Sequence, residues 1–147
     1  MKINVLDNYT ELSKRVADIV ESQVKGPSLS KLALPTGSTP IGMYHELVNK
    51  KLDWTSVITF NLDEYIINPN HRMSYHTFMR NNLFDKTNIY PSHCHFPFRP
   101  TSGFEEKIAS NMGIDLCILG IGTNGHIAFN EPGSAFDSLT RVVDLDE

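Results

Sequence analysis

Two cysteines in 147 residues cannot form a disulfide framework, so a hydrophobic core has to hold this chain together. No apolar run approaches the roughly 20 residues that a membrane-crossing helix needs. The amino-terminal stretch carries no apolar signal-peptide core. Basic residues are few and scattered, and 13 Lys and Arg against 17 Asp and Glu leave a net charge of −4. A polyanion-binding face is therefore not expected, and neither a nucleic acid nor a membrane reads as a partner. These absences point to a reducing, cytoplasmic setting. No repeat, low-complexity tract or linker divides the chain. Residues 1–147 read as one domain, long enough to bury a real core.

The chain is organised around Gly120 to Gly133, which reads Gly-Ile-Gly-Thr-Asn-Gly-His-Ile-Ala-Phe-Asn-Glu-Pro-Gly. Asp115 to Leu119, just before it, has the length and branching of a buried central strand. Cys117 within that strand reads as inert core. The glycines let the backbone turn sharply and approach a ligand. His126 and Glu131 follow, and histidine is the side chain whose ordinary pKa lies closest to neutrality. A flexible floor with a proton carrier and a carboxylate is the pattern of an active site.

Upstream, Met1 to Leu6 alternates like a short strand. Asn8, with Glu11 three positions on, can cap a helix whose stripe is Leu12, Val16, Ile19 and Val20. Leu32 to Leu34 reads as a strand running into Pro35-Thr36-Gly37-Ser38-Thr39-Pro40. Ser38 or Thr39 can cap the next helix, and Pro40 suits its first position. Such a turn is either an anion site, where free N–H groups and the helix dipole converge, or a plain strand-to-helix connection. It lacks the lysine and spacer of a Walker loop.

Val57 to Phe60 is the next strand and ends in Asn61-Leu62-Asp63-Glu64-Tyr65. Ligands of open parallel sheets sit at the carboxyl ends of strands, which is where Asp63 falls. Neighbours on an extended segment point to opposite faces, so Asp63 and Glu64 do not read as a pair. Ser74 can cap a helix bearing Tyr75, Phe78, Met79 and Leu83, which reads as a core stripe. His93 and His95 share a face if extended, but no third and fourth metal ligand lies near. Ser102 and Glu105 form a capping box for a short helix ending near Gly113. Alternating strands and helices with near-continuous apolar strands predict an α/β fold: a three-layer, mainly parallel Rossmann-like sheet with helices on both faces.

Gly120, Gly122 and Gly125 also spell the dinucleotide fingerprint G-x-G-x-x-G. Asp144 and Asp146 lie about 20 residues on, where a ribose-binding acid would be sought. The fingerprint requires a continuous helix after the last glycine. Pro132-Gly133 breaks it, and a proline inside a helix costs about 3 kcal/mol or more.

Three segments together, Leu34 to Pro40, Phe60 to Tyr65 and Gly120 to Pro132, resemble the amino-terminal motifs of the glucosamine-6-phosphate deaminase family. Ser74-Tyr75 and Phe78-Met79, ahead of Leu83-Phe84, are similar to its next helix. The resemblance implies an enzyme converting glucosamine 6-phosphate and water to fructose 6-phosphate and ammonia, with no metal or organic cofactor. It implies that Asp63 moves a proton between C2 and C1 and that His126, with Asn124 and Glu131, carries the ring-opening proton. Thr36, Gly37, Ser38 and Thr39 would hold the phosphate, and Gly120 and Gly122 would let the backbone approach the sugar. Many relatives have aspartate at the position of Asn124. An asparagine cannot ionise, so its part is orientation or hydrogen bonding.

The closest rival reading is a galactosamine-6-phosphate isomerase-deaminase, whose substrate, also a phosphorylated amino sugar, differs in one sugar hydroxyl. A 6-phosphogluconolactonase would usually have Asp-Glu-Arg in place of Asp63-Glu64-Tyr65. A sugar-phosphate-sensing module need not keep the acid and base set. Relatives include monomers and hexamers activated by N-acetylglucosamine 6-phosphate, so the resemblance allows a homo-oligomer. Family members continue well past Glu147, which predicts a sheet incomplete at its carboxyl end, with an uncovered edge.

Overall fold

The computed structural model describes residues 1–98 and 103–145. Its frame is a four-stranded parallel sheet in the order β3-β2-β1-β4. The strands are β1 Ser30–Ala33, β2 Val57–Phe60, β3 Cys94–His95 and β4 Leu116–Cys117. Every residue of β1 and β2 is buried, as expected of strands covered on both faces. Leu32 and Val57 face a large cluster with Val20, Tyr44, Leu47, Trp54, Met79 and Leu83. Ile58 and Phe60 face the other way, against Phe104. Helices α1 (Tyr9–Lys25), α2 (Ile41–Asn49) and α3 (Tyr75–Asn82) thus cover one face, and α4 (Phe104–Ser110) covers part of the other. The result is the three-layer α/β architecture predicted. Truncating a fully buried side chain such as Leu47 to alanine would cost roughly 2–5 kcal/mol.

Two helix starts match the sequence. Asn8 Oδ1 accepts the Glu11 N–H at 3.0 Å, and Ser74 Oγ accepts the His76 N–H at 3.1 Å. At α2 neither Ser38 nor Thr39 caps. The boundary residue is Pro40, and the Gly42 N–H is taken by the Tyr9 hydroxyl from α1 instead. Gly103, at φ 100°, precedes α4. Ser102, expected to cap it, lies outside the described residues, as does Asp146.

Four expectations need correction. Met1 to Leu6 forms no strand, and Ile3 and Val5 are exposed. Alternation supplies an apolar face, but a strand also needs a paired neighbour, and Met1 to Leu6 pairs with none of the four strands. The buried stripe of α1 is Ser13, Ala17 and Val20, while Leu12 and Ile19 are exposed. α1 turns its small residues inward because it packs closely on α2. A Cβ added at Gly42 would overlap Ser13 Oγ. β4 is two residues long and lies at the sheet edge, not its centre, and Cys117 on it is exposed. A further strand, β3, takes the pairing position beside β2. There His93 Nδ1 meets the Val57 carbonyl at 3.1 Å, while the His95 ring packs on Phe60. Among the described residues, no helix is long and apolar enough to cross a membrane.

Candidate active site

The chain adds strands outward from β1 through β2 to β3, then returns to pair β4 on the opposite side of β1. Between β1 and β4 the connections leave in opposite directions, and a crevice opens there at the carboxyl ends. The loops after β1, β2 and β4 meet around a cleft of about 440 Å³. Thr36, Gly37, Ser38, Thr39, Asp63, Gly120, Gly122 and His126 line it. A second groove of about 620 Å³ lies beyond Asp63, between α4 and the segment 138–145. It lacks His126 and the loop after β1, so the chemistry converges on the smaller cleft.

The loop after β1 is held from outside. The Tyr44 hydroxyl donates to the Pro35 carbonyl, and the Tyr9 hydroxyl donates to the Thr39 carbonyl at 2.8 Å. Gly37 makes the turn at φ 94°, a conformation that costs glycine little. The backbone N–H groups of Gly37, Ser38 and Thr39 donate to no described residue. They gather just before α2, where the helix dipole favours an anion.

At the end of β2 the two acids part. Asp63 is partly buried in the cleft wall, and its carboxyl is pushed up from 3.8 to about 6. Burial is the main cause, the neighbouring Glu64 charge adds to it, and His126 opposes it. Glu64 turns the other way and accepts the backbone N–H groups of Tyr75 and His76, both at 2.8 Å. It also accepts the Ser74 hydroxyl at 3.0 Å. An acid at a helix amino terminus is a favourable partner for the dipole.

The loop after β4 wraps His126. Gly122 N–H donates to the His126 carbonyl at 2.8 Å, which sets the histidine ring directly over Gly122. A Cβ at that glycine would overlap the imidazole, so the side chain's place requires glycine there. Asn124 and Glu131 stand behind His126. Asn124 Oδ1 accepts the His126 N–H at 3.1 Å, and its amide donates to Glu131 Oε2 at 2.7 Å. Glu131 Oε1 lies 3.8 Å from His126 Nδ1. Asparagine can bridge these two because it both accepts and donates.

A tight turn between Ile127 and Asn130, with Ala128 at φ 51°, puts Phe129 against Tyr65 and Tyr75. The three rings pack with centroids 4.9, 5.0 and 5.5 Å apart. Such pairs are worth about 0.5–1.5 kcal/mol each beyond their burial. They join the loop of Asp63, the start of α3 and the loop of His126, which are remote in sequence. Tyr75 therefore lines the cleft instead of filling the core, and burial pushes its hydroxyl pKa up.

Residues 7–137, which hold all three loops, match the model of the family described as glucosamine-6-phosphate isomerases/6-phosphogluconolactonase. The chain belongs to this family. It is 45% identical to a glucosamine-6-phosphate deaminase of Thermoanaerobacter sp. (strain X514), covering 100% of this chain and 63% of that protein. It is 43% identical to glucosamine-6-phosphate deaminase 2 of Bacillus subtilis (strain 168), covering 64% of it. Among solved structures, a monomeric glucosamine-6-phosphate deaminase superposes with a TM-score of 0.93 at 35% identity. That match covers 100% of this chain and 66% of the other. A 6-phosphogluconolactonase of Thermotoga maritima shares the fold, with a TM-score of 0.71 at 22% identity over 86% of this chain and 62% of that one. The chain thus spans slightly less than two thirds of the curated relatives' length.

Two contributors to the site differ from what the sequence suggests. Glu64 reads only as pointing away from Asp63, yet its carboxylate accepts the first N–H groups of α3. The signal was present in the period-two alternation after Asp63, together with an α3 start that lacks an acid of its own. Tyr75 reads as core because it shares the helical spacing of Met79, and only the approach of Phe129 reveals its position.

Proposed function

We infer that the cleft serves a deaminating aldose–ketose isomerisation, converting glucosamine 6-phosphate and water to fructose 6-phosphate and ammonia. One observation carries this reading. A carboxylate, an imidazole and a row of free backbone N–H groups, from three separate loops, line one cleft of sugar-phosphate size.

The phosphate sits on the N–H groups of Gly37, Ser38 and Thr39. The Thr36 to Thr39 turn holds one end of the flexible open sugar, which lowers the entropic cost of presenting the other. His126 carries the proton that opens the ring, with Glu131 and Asn124 fixing its orientation. Asp63 takes the proton from C2 and returns it to C1. The C2–N bond becomes an imine, water adds to it, and ammonia leaves. With a pKa of about 6, Asp63 is ionised at neutral pH yet more basic than an ordinary carboxylate, which suits a general base. Gly120 and Gly122 leave room for the sugar beside the backbone.

The relatives named glucosamine-6-phosphate deaminase support this assignment over the lactonases, which match at lower identity. Tyr65 supports it too, through its place in the aromatic cluster with Phe129. A role in the cytoplasmic breakdown of amino sugars follows from the substrate, and two free thiols suit a reducing compartment. The test is ammonia release from glucosamine 6-phosphate and, separately, from galactosamine 6-phosphate, on this chain and on one of full family length. Release from the first substrate supports the assignment. Release from the second alone moves it to the epimer. Release from neither by the longer chain rejects it.

A further inference from the structure

We propose that Glu64 is a positioning residue, whose carboxylate ties the end of β2 to the start of α3 and so sets Asp63 and Tyr75 on one wall of the cleft. The consequence for turnover rests on the function proposed above, whereas the effect on Asp63 itself does not.

The geometry is specific. Glu64 Oε1 accepts the N–H of Tyr65 at 2.8 Å and of Tyr75 at 2.8 Å. Its Oε2 accepts the N–H of His76 at 2.8 Å and the hydroxyl of Ser74 at 3.0 Å. A carboxylate offers about four acceptor sites, so protein donors saturate this one and none is left for a ligand. Three of the four donors belong to the start of α3 or its cap, where unpaired N–H groups and the dipole attract an anion. The clamp also decides where the neighbours go. With Glu64 drawn toward α3, the preceding side chain, Asp63, lies in the cleft wall. Tyr75 is gripped by its own N–H, so its backbone is held beside Glu64 while its ring, packed on Tyr65 and Phe129, lines the cleft.

Asp63 has a defined set of ionisable neighbours. Glu64 is beside it in sequence, His126 faces it from the loop after β4, and Tyr75 faces it from α3. The Glu64 charge acts to raise the Asp63 pKa and His126 acts to lower it. Removing the Glu64 charge should therefore lower the Asp63 titration midpoint. Loss of a helix cap elsewhere in the same network should leave it in place.

The test uses the whole chain as wild type, Glu64→Gln, Glu64→Asp and Ser74→Ala. Asp63 is titrated by carboxyl-carbon NMR, thermal unfolding is recorded, and ammonia release is measured. Glu64→Gln is expected to lower the Asp63 midpoint by roughly half a unit or more. Where the wild type turns over, kcat should fall roughly ten- to a hundredfold, because a small displacement of a base is costly. Ser74→Ala removes one donor of the same cap, so it should lower the melting temperature and leave the Asp63 midpoint alone. If Glu64→Gln does not fold, Glu64→Asp decides, since it keeps the charge and shortens the reach. Its kcat should lie between the wild type and inactivity, with an altered Asp63 resonance. Wild-type values for both in a folded Glu64 variant would overturn the proposal, as would an equal midpoint shift in Ser74→Ala. A wild-type family-length chain inactive on both amino-sugar phosphates would reject the proposed reaction, while the Asp63 titration would still decide the role of Glu64.

Discussion

Replacing Asp63 by asparagine should stabilise the protein at neutral pH while removing its activity. The folded chain holds this carboxyl at about 6 instead of 3.8, mainly through burial. Its folded pKa is raised, so the charged form is the disfavoured one in the native state. The stabilisation from the neutral acid is fully present below about pH 4 and is lost as pH rises through 6. A rise of about two units, at about 1.4 kcal/mol each, makes this loss about 3 kcal/mol by pH 7 to 8. Asparagine resembles the neutral acid in shape and never ionises, so the variant escapes the loss. The difference in unfolding free energy between Asp63→Asn and wild type should therefore be near zero at pH 4 and grow to about 3 kcal/mol at pH 8. For a chain of this size that corresponds to roughly 6–12 °C in melting temperature. All other titrating groups are common to the two proteins and cancel to first order. Urea unfolding of both proteins across this range measures the difference directly. A difference that stays flat with pH would refute the burial account of Asp63. The same variant should bind fructose 6-phosphate about as well as wild type while losing turnover, and near-normal turnover would rule out Asp63 as the base. In the wild type, kcat should drop about tenfold per unit below pH 6, as the base becomes protonated.

Gly122→Ala should displace the His126 ring and shift its imidazole resonances. Gly120→Ala, where an added Cβ meets no protein atom within 4 Å, should weaken sugar-phosphate binding with His126 undisturbed. Tyr9→Phe removes the hydroxyl that joins Thr39 and Gly42. It should cost about 1–2 kcal/mol in urea unfolding, and titration calorimetry should detect weaker binding of inorganic phosphate. Ala128→Gly relieves a left-handed backbone at φ 51° and should raise the melting temperature, by an amount equivalent to about 1 kcal/mol. A fall in that temperature would mean that the methyl group packs usefully.

The elements legible in the sequence were those with a strong local cause. β1 and β2 are short apolar runs bounded by turn residues, and the starts of α1 and α3 carry Asn8 and Ser74 where caps belong. The placement of Asp63, His126 and the Thr36 to Thr39 turn was legible because each follows a strand, and parallel sheets gather such positions. What escaped depends on partners distant in sequence. The buried face of α1 is set by its approach to Gly42, and periodicity alone would choose the larger Leu12 and Ile19. Met1 to Leu6 has the alternation of a strand and pairs with none of the four strands. β3 has too few residues to carry a pattern and exists through its pairing with Thr59 and Phe60. Tyr75 looks like an ordinary core aromatic until the turn at Ala128 brings Phe129 against it.

The opposed directions of the two acids after β2 make chain length there a functional quantity. Inserting or deleting one residue between Phe60 and Glu64 would shift the Glu64 carboxylate away from the start of α3 and move Asp63 along the cleft wall, so turnover should fall. The exposed loop Ile66–Met73 lies outside that constraint, so variants longer or shorter by several residues should fold and function there. A naturally occurring or designed homologue can be judged on this basis: spacing is fixed on one side of Tyr65 and free on the other.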